Sequence, residues 1–135
     1  MESLLIEGTK INPEVSFKPN EHALEISGYS RPENVRDFYI PLITWLEDYK
    51  DWLTEKIKAA QTLEPVTIKF KFIYFNSSSA KFINDMFMVL SDMQKSSIPL
   101  KVYWFFDVDD DELREAGEEF SDMANIPFHF AEISR

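Results

Sequence analysis

The chain has 135 residues, no cysteine, and 24 acidic against 14 basic residues, for a formal net charge of −10. That length suits one domain, 1–135, which can bury a core without disulfides or metals. Lack of cysteine excludes a disulfide framework, a zinc–thiolate site and a catalytic thiol, and the acidic balance argues against nucleic acid or an anionic membrane surface as a partner.

The N-terminus, Met1-Glu2-Ser3-Leu4-Leu5-Ile6-Glu7, lacks the basic start and long apolar stretch of a signal peptide. No run approaches the ~20 apolar residues of a spanning helix. A cytoplasmic location is the expectation. Short strands are predicted first, at Leu4–Ile6, around Val15 and Phe17, and from Ala23 to Ser27, with a turn at Pro19-Asn20-Glu21. Ser30-Arg31-Pro32-Glu33 has the form of a capping box. It introduces a helical pattern in which Val35, Phe38, Leu42, Leu46, Tyr49, Leu53 and Ile57 recur at three- and four-residue steps. Pro41 lacks an N–H to donate, so this pattern should split into a short helix and a longer one ending near Gln61.

Val66–Phe75 is the strongest strand signal. Val66, Ile68, Phe70 and Phe72 alternate with Thr67, Lys69 and Lys71, and the C-terminal end is apolar on both faces, as in a covered central strand. Asn76-Ser77-Ser78-Ser79 then breaks it. A second helix carries Phe82, Met86, Val89 and Met93 on one stripe, widened by Ile83, Phe87 and Leu90. Leu100–Phe106 is a buried strand, Asp109–Met123 a third helix with an acidic start, and Pro127–Ile133 a last strand. The order strands, helix, strand, helix, strand, helix, strand predicts an α/β domain: N-terminal strands, then β-α-β-α-β crossovers on a largely parallel sheet. Twelve Phe, five Tyr and three Trp supply most of its core.

In such sheets ligands gather beyond the C-terminal strand ends, where Asn76–Ser79 falls. Helix starts have unpaired N–H groups and a positive dipole end, so a phosphate carried there is stabilised. A plainer role for Ser77 or Ser78 is as the helix N-cap. Nucleophilic catalysis has no support: the loop is not Gly-x-Ser-x-Gly, and nothing ties His22 or His129 to it. Those two histidines have no metal-ligand spacing, and three scattered glycines make no phosphate cradle. Asp107, Asp109, Asp111 and Glu118 match positions 1, 3, 5 and 12 of a calcium loop, but Glu112 stands where that loop needs glycine. The stretch therefore reads as a solvated helix start or an acidic partner face. A divalent-metal enzyme using 107–119 and an unregulated adaptor are the competing alternatives. No catalytic residue, metal ligand or cofactor is assigned.

Gly28-Tyr29-Ser30-Arg31-Pro32-Glu33-Asn34 with Phe38-Tyr39 and Pro41 resembles a "G-x-S-x-P-E-N … F-Y-x-P" signature. Tyr74-Phe75-Asn76-Ser77-Ser78-Ser79 resembles "Y-F/L-N-T-S-S", and Lys81 follows where the pattern often has Lys. Trp104, Asp109-Asp110, Gly117-Glu118-Glu119-Phe120 and Pro127-Phe128 resemble its C-terminal part. The chain thus resembles the SiaC-type regulatory phosphoproteins from about Ile6 to Phe130. The resemblance implies a STAS-like mixed sheet and a switch with no catalysis of its own. It further implies a histidine-kinase-like Ser/Thr kinase that modifies the chain and a PP2C-type phosphatase that reverses this. The implied target of the unmodified form is a diguanylate cyclase or other signalling protein, linking the chain to cyclic di-GMP and biofilm. The family's phosphorylated Thr falls on Ser77, with Asn76, Ser78 and Ser79 supporting loop and phosphate. Since serine replaces threonine, Ser77, Ser78 and Ser79 all stay open as acceptors.

Overall fold

The computed structural model describes Met1–Arg135. Strands β1 (Leu4–Ile6), β2 (Glu14–Lys18) and β3 (Ala23–Ser30) precede helix α1 (Val35–Lys58). Strand β4 (Val66–Phe75), helix α2 (Ser77–Lys95), strand β5 (Leu100–Asp107), helix α3 (Asp111–Ala124) and strand β6 (His129–Ile133) follow. One six-stranded sheet runs in the order β1-β2-β3-β4-β5-β6. β1, β2 and β3 pair antiparallel, and β3 to β6 run parallel. This is the mixed α/β arrangement expected from the order of elements.

Because the strand order is monotonic, crossovers of one hand put every helix on the same face. α1 packs on α2 and α2 on α3. Val15, Phe17, Leu24, Ile26, Ile68, Phe70, Val102 and Trp104 face them and are buried. The other sheet face has no helix over it. β4 is central but not covered on both sides as its sequence suggested: Ile73 and Tyr74 are 36% and 48% exposed.

Trp104 is the hub of the core. Its ring neighbours are Phe70, Phe72, Phe75, Phe87, Phe120 and Phe128, at centroid distances of 5.7–6.3 Å. Pairs of this kind add ~0.5–1.5 kcal/mol each beyond area burial. The indole N–H donates to the Leu113 carbonyl at 2.9 Å, which pins α3 to β5.

Two expectations about the first helix are corrected. Ser30 is not its N-cap but the last residue of β3, paired with Phe75. The cap is Asn34, whose side chain accepts from the Asp37 N–H at 3.1 Å. Pro41 does not split the helix, which runs unbroken from Val35 to Lys58. Pro41 and Asp37 both lie on the exposed side, so the carbonyl that Pro41 leaves unpaired can face water.

Candidate functional site

The parallel strands β3, β4 and β5 all end at the same edge of the sheet, and all three helices begin there. Two starts carry acidic residues that offset the helix dipole: Asp37 on α1, and Asp111 and Glu112 on α3. The first turn of α2 carries none. Its positive end is the one left without a counter-charge, and it holds the serine loop.

An account of the amides locates the opening. Asn76 N–H donates to the Ser30 carbonyl at 3.1 Å. Ser79 N–H donates to the Asn76 side chain at 2.8 Å. The N-cap is therefore Asn76, not Ser77 or Ser78 as the plainer sequence reading had it. The N–H groups of Ser77 and Ser78 precede the first intrahelical bond and have no capping partner. Both side chains are exposed. Ser77 is the first helical residue, and Lys81 lies one turn on, also exposed.

Ser79 differs from its neighbours. It is fully buried, and with Ser30 it makes up the buried polar set apart from two tyrosines. Ser30 Oγ donates to Ser79 Oγ at 2.9 Å, and Ser79 Oγ donates to the Ser30 carbonyl at 3.1 Å. Each hydroxyl has one hydrogen, so Tyr39 O–H must donate to Ser30 Oγ in the third, short contact. The chain Tyr39 → Ser30 → Ser79 ties α1, β3 and α2 together beneath the loop. Ser79 supports the loop from the core side; its hydroxyl does not reach the surface where a phosphate would stand.

Sequence reasoning did not find this network. Its signal was parity, since Leu24, Ile26 and Ser30 share one face of β3. A bulge completes it. Gly28, at φ +98°, pairs with Phe72, and Tyr29 pairs with Tyr74, so Ile73 is extra. The extra residue leaves Ile73 and Tyr74 outside and turns Phe75 inward onto Phe72, Trp104 and Phe120.

Burial pushes the Tyr39 hydroxyl up to about 12, against smaller opposing effects of its bonds to Ser30 and Ser79. Burial pushes Tyr49, whose O–H donates to the Pro19 carbonyl, up to about 12 as well. A raised folded-state value means stability is complete below the unfolded value near 10 and is lost as pH climbs from there through about 12. Roughly 3 kcal/mol should disappear through Tyr39 over that range, about half of it by pH 11. Urea unfolding at pH 9 and pH 11 should show the loss, and Tyr39→Phe should lessen it, leaving the part that Tyr49 contributes. An unchanged slope in Tyr39→Phe would show that this hydroxyl is not shielded.

The acidic stretch is a set of local structural contacts. Asp107 accepts the N–H groups of Asp109 and Arg135, Asp110 caps α3, and Glu118 pairs with Arg114 at 3.7 Å. Its carboxylates are not gathered into a group of three that could hold a metal ion. His22 sits at the turn before β3 with Nδ1 2.8 Å from the Glu64 carbonyl, and His129 stacks on Tyr103, both far along the sheet from the serine loop.

A family model described as SiaC family regulatory phosphoprotein matches residues 6–133. A relative from Pseudomonas aeruginosa strain UCBPP-PA14, described as an uncharacterized protein, is 26% identical over 128 residues, covering 95% of this chain and 94% of its own. The solved structure of SiaC of Pseudomonas aeruginosa superposes with a TM-score of 0.78 at 26% identity, covering all of both chains. SiaC crystallised with the diguanylate cyclase SiaD, of which it is the activator, gives 0.78 at 25% identity, covering 98% of this chain and 99% of that one.

Proposed function

Because the chain belongs to the SiaC family of regulatory phosphoproteins, we propose that it is a binding module switched by phosphate on Ser77. The observation that carries this is the first turn of α2: an exposed Ser77 beside two free amides, on the helix start without acidic compensation. A phosphate there gains charge-assisted hydrogen bonds and a favourable dipole, and Lys81, four residues on, has the orientation that suits an ion pair. Asn76 holds the turn and Ser78 offers its amide and hydroxyl. The partner is a signalling protein, with a diguanylate cyclase favoured because the similar SiaC activates one. A histidine-kinase-like Ser/Thr kinase would write the mark and a PP2C-type phosphatase erase it, in the cytoplasm, with no chemistry supplied by this chain.

Intact-mass analysis after incubation with ATP and such a kinase, with peptide mapping across Tyr74–Lys81, tests the assignment. One phosphate is expected. It should vanish in Ser77→Ala and persist in Ser78→Ala. Since Asn76 is the cap, Ser77→Ala should also keep stability within ~0.5 kcal/mol. A phosphate that survives Ser77→Ala would move the switch to another residue.

A further inference from the structure

The ladder between β4 and β5 stops at Phe70–Trp104, although β4 continues to Phe75 and β5 to Asp107. Beyond that pair the two neighbouring strands have no further ladder partners, and a crevice lies between β4 and the start of α3. Ile73, Tyr74, Phe75, Leu113 and Ala116 line a cavity of about 240 Å³, with Asp110 and Glu112 on its rim. A second cavity of about 380 Å³ shares Ile73, Asp110 and Leu113 and extends to Asp109 and Arg135. Val108, between Asp107 and Asp109 in the chain, is 49% exposed.

We infer that this crevice seats a segment of the partner protein that carries apolar anchors flanked by Lys or Arg. The inference rests on the reading of the chain as a binding module. Apolar side chains at the mouth of a crevice call for apolar anchors, and exposure of Ile73 and Tyr74 is the sheet's deliberate product, made by the bulge at Ile73. Charge settles the flanks. Asp107 spends both oxygens on backbone N–H groups, Asp110 spends one on the Leu113 N–H, and Asp111 lies 3.9 Å from Arg114. Asp109 and Glu112 accept no hydrogen bond and form no ion pair, so their charges face outward unspent, against Arg135 alone on that rim. A cationic flank complements them, and an acidic ligand is repelled.

Two synthetic amphipathic peptides with the same leucine positions, one with lysine and one with glutamate on the flanks, can be titrated into the ¹⁵N-labelled chain. The lysine peptide should shift the amides of Ile73, Tyr74, Leu113 and Ala116, and should weaken with salt; the glutamate peptide should not. Tyr74→Ser, at a half-exposed position, should weaken binding at least fivefold. Asp109→Asn with Glu112→Gln should weaken it and flatten the salt dependence while leaving the Asp110 cap in place. Equal responses to both peptides, shifts centred on the uncovered sheet face, or no response would overturn the inference. Ser77 phosphorylation, read by mass, would stand or fall separately.

Discussion

Replacing Gly117 with valine is expected to destabilise the protein by about 3 kcal/mol or more. A Cβ built on Gly117 would lie 2.5 Å from both Cδ1 and Nε1 of Trp104. Neither partner can retreat. The indole is fully buried, held by its bond to Leu113, and surrounded by phenylalanine rings. Glycine inside a helix normally costs about 1 kcal/mol relative to alanine, so α3 tolerates it for the close approach it permits. Valine restores only about 0.3 kcal/mol of helix propensity and adds two methyl groups to the clash. Thermal unfolding should fall by roughly 10 °C or more, with Trp104 fluorescence shifting toward that of exposed indole. A variant as stable as the parent would mean that α3 can lift from β5. It would then also widen the crevice, whose wall α3 forms through Leu113 and Ala116.

That contact marks where sequence reading stops. β4 was legible to the residue, because alternation from Val66 to Phe72 outweighs any helical alternative and Asn76-Ser77-Ser78-Ser79 breaks the apolar run after Phe75. The seven apolar positions named on α2 are all buried. Ser30 was misread because a capping box and a strand end share the same letters; pairing with Phe75 and a buried bond to Ser79 outweighed the cap. The exposure of Ile73 and Tyr74 depends on strand order and on a bulge, and neither is written in local pattern. Ser79 is a different case. Ser77, Ser78 and Ser79 looked equivalent, although Ser79 lies three, four and seven residues before Phe82, Ile83 and Met86 on the buried stripe of α2. The part of the site that sequence did place, Asn76 to Ser78 at a helix start, depends on local physics alone.

Phosphate on Ser77 should weaken partner binding by at least tenfold, and Ser77→Glu by a smaller factor. The sign is not obvious, because the crevice nearby is acidic and a basic partner should welcome further negative charge. Magnitudes decide it. Attraction between exposed charges across a wet rim yields ~0–1 kcal/mol, and salt screens it. Docking an apolar face over the start of α2 strips water from a group carrying about −1.5 to −2 charges, and the desolvation penalty for a buried ion is several kcal/mol. The free amides of Ser77 and Ser78 and the nearby Lys81 stabilise that phosphate in the unbound chain. They therefore favour the free state more strongly than the docked one, in which Lys81 would be desolvated too. Titrating a partner cyclase with unmodified and Ser77-phosphorylated chain at two salt concentrations separates the effects. Desolvation predicts a loss that salt barely changes. Tighter binding after phosphorylation, abolished by salt, would instead make the phosphate part of the docking surface and reverse the direction of the switch.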